Sequence, residues 1–510
     1  MPLSVPGIVV GTLGAGLAVA LPLEYGILAL LVVLQMPWAA DLAGSSGAAI
    51  RPVDAVMAAW GLRLLIAARR GALNLQLLRS RPVLLWGAWM LWLVTMTIGA
   101  NVRDGDFHRG AQLVSIVRLL QMALLMPVGA VTLSTAPPER VRRLLTTVTG
   151  MALFQATIAF TRWAPDVFLD VDWLGMLRLP LDADWITGRD PLLAYALERR
   201  GRWTGSFGDP ATFGYFMLTG LAAVWAHPGR GRQRFRVAVA AIIVLATLSS
   251  LTRTVWIGLG LMSVVAWVTA PPWRGEASPR RTRLAGLAAG AAVWLTLLGA
   301  HRVVVTLTGT PRTVSTTSSP TDIVPTSTAV RPLSPADATP ASPSAIRSVM
   351  PSRPTPPAWS FLLRLEFDES AAGRLTMMRS SLEQFAVHPI IGIGWSGRRF
   401  HGETVPWGEP LYIRLLAETG LVGLLLFLAF LTSCLRSALE CFHQPSSDRS
   451  AVAMFGLLGL GAFAGVLTGD LLIIGPSLTS ASLFFLAGAA AARPRPEAVQ
   501  QYPPKSRTPA

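Results

Sequence analysis

Apolar runs of about 17–23 residues recur along this chain, and their length limits what it can become. Pro82–Ala100 (PVLLWGAWMLWLVTMTIGA) and Leu411–Ser433 (LYIRLLAETGLVGLLLFLAFLTS) are two of them. A helix of that length covers a bilayer core of roughly 30 Å. In hydrocarbon no water is available to the backbone, so a single continuous run can satisfy its N–H and C=O groups only as a helix. Composition agrees: 52% of the 510 residues are hydrophobic and 14% charged, where a soluble chain carries about a quarter. The expected fold class is an all-α polytopic membrane protein.

Candidate spans cover roughly 4–20, 23–40, 51–67, 82–100, 111–133, 141–161, 208–227, 235–251, 254–270, 284–301, 411–433, 451–470 and 476–493. Arginines orient them, because short cytoplasmic loops hold the excess of cations. Arg69, Arg70, Arg79 and Arg81 mark one such loop, and Arg140, Arg142 and Arg143 the next. Arg230, Arg232, Arg234 and Arg236 mark a third, and Arg274, Arg280, Arg281 and Arg283 a fourth. Before residue 51 the charge count is weak. Thirteen spans would put the N-terminus outside, and twelve would need one of the first two runs not to cross; the reading is about twelve, within 12–13. The N-terminal stretch lacks a basic segment, so it is read as a retained span rather than a cleaved signal.

The organisation read from these signals is N-terminal spans over 1–161, an external loop over 162–207 and central spans over 208–301. A long external loop follows over 302–410, then C-terminal spans over 411–493 and a cytoplasmic tail over 494–510. Within the second loop, 306–357 is rich in Ser, Thr and Pro. It cannot bury a core and is expected to be disordered.

A net charge of +16 would suggest nucleic acid in a soluble chain. Here the arginines sit in loops and no basic stripe with interleaved aromatics appears, so nucleic acid is excluded as a partner. Cys434 and Cys441, read as lying just after a span, form neither a disulfide framework nor a metal site. The six histidines show no paired spacing, so no metal is expected.

Charged residues at the outer face are the less expected case and mark candidate chemistry. Arg202 lies in Gly201–Tyr215 (GRWTGSFGDPATFGY), whose turn residues lead into a span. It could grip phosphate bidentately, or serve as an interfacial anchor with Trp203. Arg253 sits in LSSLTRTVW, a hairpin of a few residues between two spans. It could face a polar cavity or remain a solvated hairpin cation. Glu409 stands at the mouth of the span carrying Glu418, after GIGWSGRRFHGETVPWG. A catalytic carboxylate and a helix cap are both open for it. Arg118 and Asp470, inside or near spans, could line a cavity or pair with each other.

The order of these motifs resembles the O-antigen ligase and Wzy-type polymerase family. Arg202 with Gly205, Ser206, Phe207 and Pro210 comes first, then Thr252–Arg253. Gly373–Arg374–Leu375, His388–Pro389, Gly392 and Gly394 follow, and Leu416, Glu418, Gly420 and Gly423 close the set. The resemblance covers about 200 to 430. It implies an architecture like that of the GT-C glycosyltransferases, and a metal-independent, inverting glycosyltransferase without cofactors, facing the periplasm or exterior from the cytoplasmic membrane. Its donor would be an undecaprenyl-diphosphate-linked glycan. The acceptor would be a glycan, a lipid or a protein hydroxyl. The family places a His at the position that Glu409 holds here, followed by Asn where Pro410 stands. Glu409 is therefore the first candidate base and His401 the second. Arg202 and Arg253 would bind the diphosphate, assisted by Arg398 or Arg399. Two other classes compete: a transporter or flippase for lipid-linked glycans, and a non-catalytic binder of them. The first usually shows inverted repeats with mid-span charges; no repeat is visible here, and the notable charges cluster on the outer face.

Overall fold

The computed structural model describes residues 5–34, 51–104, 109–169, 203, 205, 210–227, 233–269, 283–296, 378–395, 410–442, 447–465 and 478–492. Among the described residues all regular structure is helical. In chain order the α-helices are α1 (Val5–Ala20), α2 (Gly26–Leu34), α3 (Pro52–Arg69), α4 (Arg81–Asp104), α5 (Arg109–Ala123), α6 (Leu125–Thr135) and α7 (Pro138–Leu169). Next come α8 (Pro210–Ala226), α9 (Gln233–Ser249), α10 (Arg253–Val268), α11 (Arg283–Thr296) and α12 (378–387). The last are α13 (Leu411–Phe442), α14 (Ser447–Ala464) and α15 (Leu478–Ala491).

Four described stretches are long and apolar enough to cross a membrane: Arg81–Ala100, Ile116–Thr135, Pro138–Thr161 and Leu411–Cys441. Shorter apolar helices pack among them. The outer surface is itself apolar, with Leu91, Phe154, Val264, Val268 and Leu425 exposed. A water-soluble protein does not display such a surface without a partner to cover it. This is a multi-pass membrane protein.

Two helices sit at the centre because their sequences are apolar all round. Every residue of α8 except Thr212 is buried, as is α15 from Thr479 onward. Around α8 stand α7, α9, α10 and α14, while α15 lies between α6 and α14. Between membrane helices lipid supplies no hydrophobic drive, so small residues must let backbones approach. A Cβ on Gly456 would stand 2.7 Å from Ala490 Cα, and one on Gly488 2.5 Å from the Met126 carbonyl oxygen.

Four sequence expectations change at this level. The run 111–133 is two helices, α5 and α6, meeting at Leu124. Pro127 explains the break, since its ring meets the carbonyl four residues earlier and it has no N–H to donate. The helix carrying the span that ends near 161 continues to Leu169, eight residues past the apolar stretch Pro138–Thr161, so the segment after the span begins as helix. Cys434 and Cys441 are not in a loop but buried within α13. Arg118 pairs across helices with Asp54 of α3, which also accepts from Gln121 at 2.7 Å. Asp470 lies outside the described residues.

The N-terminal direction is also visible. Arg63 Nη1 donates to the carbonyls of Ala18 and Leu21, and a Cβ on Gly14 would touch Val56. So α1 runs parallel to α3 and ends beside the loop bearing Arg69, Arg70, Arg79 and Arg81.

Candidate functional site

Two turns carry residues singled out in the sequence. The first joins α9 to α10. Ser250 N–H donates to the Ala246 and Thr247 carbonyls, and Leu251 follows with φ 51°, a left-handed conformation that costs a residue with Cβ about 1–2 kcal/mol. Thr252 then stands at the N-cap position, and Arg253 is the first residue of α10. A helix N-terminus carries positive partial charge, so a cation there is electrostatically disfavoured. Helix stability therefore does not explain Arg253, which is half-buried.

Trp203 reaches the same turn. Its backbone N–H donates to the Ser249 carbonyl at 3.0 Å, and its buried ring packs with Phe160 and Trp163 of α7 at 5.9 and 5.7 Å between centroids. Gly205, at φ 57°, lies where a Cβ would stand 2.7 Å from Gln155 Oε1 and 2.9 Å from Phe213. Gly214 in α8 leaves room for Ser250 Oγ and Val255. Trp203 is therefore fastened to the end of α9, just ahead of the turn that carries Arg253.

The second turn explains the glycines of the later motifs. Within α13, Gly420 breaks the helix at φ 69°, ψ −177°. A break inside a membrane helix orphans carbonyls that would accept from residues four further on. Here the loop after α12 satisfies them. Ile393 N–H donates to the Ala417 carbonyl at 3.0 Å and Gly394 N–H to Glu418 at 2.9 Å, while Trp92 Nε1 of α4 donates to Thr419 at 2.9 Å. In return Leu421 N–H donates to the Pro389 carbonyl at 2.8 Å. The two segments interlock so closely that a Cβ on Gly392 would stand 2.6 Å from Thr419 N. One on Gly420 would stand 2.7 Å from Ile391 N. Thr97 of α4 completes the clamp, its hydroxyl oxygen accepting from Trp395 N–H at 2.9 Å.

Beside this interlock lies a buried charge pair. Arg414 Nε donates to Glu418 Oε1 at 3.0 Å, with side-chain exposures of 6% and 2%. The guanidinium also lies 5.5 Å over the ring of Trp395. Arg preceding Glu by four residues is the less favourable order on a helix. The pair is thus held by its surroundings rather than by helix electrostatics.

Residues 237–428 match the family model described as O-antigen ligase. The chain carries an O-antigen ligase domain. No curated protein matches it. The O-antigen ligase domain takes in Arg253, the helix break and the Arg414–Glu418 pair, while Trp203 and Gly205 lie ahead of it. Together with the apolar helices, that match supports a membrane enzyme of polysaccharide biosynthesis.

Of the candidate residues, Arg253 is described; Arg202, Arg398, Arg399, His401 and Glu409 lie outside the described residues, as does Arg374. Among the described residues, no group of three His, Cys, Asp or Glu side chains could hold a metal. Arg414, Trp92 and Thr97 were missed in the sequence. Arg414 had a usable signal, being a cation four residues before Glu418 inside an otherwise apolar run. Trp92 and Thr97 had none, since on α4 they look like ordinary span residues.

Proposed function

We propose that this protein transfers a glycan from an undecaprenyl-diphosphate-linked donor at the outer face of the cytoplasmic membrane, polymerising repeat units or ligating them to an acceptor. The observation that carries the reading is the O-antigen ligase domain with Arg253 at a strained turn, in a position helix stability disfavours. The backbone bond from Trp203 to Ser249 supports joint action with Arg202, the residue before Trp203 in the chain.

In this reading Arg202 and Arg253 hold the diphosphate, and Arg398 or Arg399 assists. Guanidinium forks suit that task because they donate to two phosphate oxygens at once. Glu409 accepts the proton of the acceptor hydroxyl, with His401 as the second candidate. The acceptor oxygen attacks the anomeric carbon from the face opposite the diphosphate. The bond to the diphosphate oxygen breaks with inversion, and the lipid diphosphate leaves against the arginines. A leaving group already charged at neutral pH needs neither metal nor cofactor. The acceptor is a glycan, a lipid or a protein hydroxyl.

The test is turnover of an undecaprenyl-diphosphate oligosaccharide by the purified protein in lipid. Arg253→Ala and Arg202→Ala should each lower turnover by about 10²–10³-fold, the typical loss for one donor to developing charge. Arg253→Lys should recover only part, because an ammonium cannot fork. Glu409→Gln should lose about 10²–10⁴-fold. Lengthening of the donor glycan identifies a polymerase, and transfer to another acceptor a ligase. Full activity in Glu409→Gln moves the base to His401. Donor binding without turnover in the wild type would leave a binder or transporter.

A further inference from the structure

At the end of the bundle bearing Arg69, Arg70, Arg79 and Arg81, a cavity of about 620 Å³ opens between the α1–α2 turn, α3 and the α6–α7 turn. Cavities of this size accept small-molecule groups. Its frame is tied by specific bonds: Trp60 Nε1 donates to the Leu23 carbonyl at 3.0 Å, and Tyr25 OH to the Arg140 carbonyl at 3.0 Å. Glu24, Arg63 and Arg140 supply its charge.

The carboxylate is already engaged, since Arg140 Nη1 donates to both oxygens of Glu24 at 3.0 and 3.2 Å. Arg63 Nη1 serves the Ala18 and Leu21 carbonyls at the C-terminal end of α1. Among the described residues, Nε and Nη2 of both guanidiniums have no hydrogen-bond partner. With Glu24 answered by one arginine, a net positive charge and spare donors remain. Beside Arg63 on α3, Leu62, Leu65 and Ile66 are exposed. A basic cavity flanked by apolar surface has the amphipathic pattern of a lipid.

We propose that this cavity binds the phosphate of an anionic phospholipid headgroup, its acyl chains lying on the exposed apolar face of α3. The site is separate from the turn that carries Arg253 and does not depend on the glycan-transfer reading. The arginines at this end of the bundle (Arg142 and Arg143 follow Arg140 on α7) add to the local attraction, since each cation near an anionic surface contributes about 1 kcal/mol.

The experiment is native mass spectrometry of the delipidated full-length protein. It is titrated with phosphatidylglycerol, with phosphatidylcholine of identical acyl chains, or with inorganic phosphate. The wild type should retain one phosphatidylglycerol about fivefold or more in preference to phosphatidylcholine, the factor that one such cation supplies. Arg63→Gln keeps a donor for the two carbonyls while removing the charge, and it should abolish the preference. Ala72→Trp, on the exposed rim of the cavity, should do the same by filling it without touching a charged group. Saturable binding of inorganic phosphate that displaces the lipid and is lost in both variants supports the phosphate site but makes its source a soluble ion. Equal retention of both lipids by the wild type, or a preference that survives in the folded variants, overturns the proposal.

Discussion

Replacing Gly420 with alanine is expected to cost at least about 3 kcal/mol and to leave little folded, monodisperse protein in detergent. Two penalties combine. At φ 69° a Cβ costs about 1–2 kcal/mol by itself. The same Cβ would be driven into the Ile390 carbonyl and would stand 2.7 Å from Ile391 N. These are backbone atoms, which cannot swing aside as the end of a side chain can. Relief requires the two segments to separate, and that removes the bonds from Ile393, Gly394 and Leu421 that satisfy the break. Unpaired backbone groups in an apolar surround cost several kcal/mol each. Gly392→Ala should behave similarly, because its Cβ would meet Glu418 and Thr419 backbone from the other side. The control is Gly71→Ala, at φ 68° with nothing within 4 Å of the added carbon. It should cost only the conformational penalty, about 1–2 kcal/mol. Thermal unfolding followed by fluorescence-detected size exclusion separates the cases, and equal shifts for Gly420→Ala and Gly71→Ala would sink the interlock account.

Class and motif order were legible in the sequence because they follow from local rules. A run such as Pro82–Ala100 must be helical in hydrocarbon, and GIGWSG followed by AETG announces tight backbone wherever it lies. What the glycines do was not legible. Gly392 and Gly420 lie 28 positions apart and answer each other only in space, across bonds that no periodicity encodes. The break in α13 was hidden for the same reason: Leu411–Ser433 reads as one continuous apolar span, and a single glycine inside it is usually tolerated as helix. Cys434 and Cys441 read as lying in a loop because the apolar run ends near Ser433, and Arg436 and Glu440 come after it. In the structure those two charges form an exposed i,i+4 pair, while the cysteines face inward on the same helix. Arg118 was noticed as a buried cation, yet Asp54 lies 64 positions away, beyond the reach of local pattern.

Breaking the Arg414–Glu418 pair from either side is expected to be nearly as damaging as closing the glycine contact. Both groups are almost fully buried, and the bond between them replaces part of the hydration each has lost. Removing one partner of such a pair typically costs about 3–5 kcal/mol, since a charge is left in an apolar surround. Arg414→Met takes the guanidinium from the carboxylate and removes the cation over Trp395, while Glu418→Gln leaves the guanidinium facing a neutral amide. The double replacement, Arg414→Met with Glu418→Leu, removes both charges and fills similar volume. It should recover most of the loss, because hydrophobic substitutes for buried pairs are often neutral or stabilising. A double-mutant cycle on unfolding free energy therefore predicts a large favourable coupling. Additive losses would mean that each group is held chiefly by something else. If the double variant folds as the wild type does yet transfers no glycan, the pair serves the reaction as well as the fold. Glu418 lies two residues before Gly420, where the backbone breaks, so its charge is anchored where the loop after α12 meets the membrane helix. That placement gives the glutamate of the L-x-E-x-G motif a physical reason. It holds Arg414, which stacks on Trp395, which is fixed to α4 through Thr97.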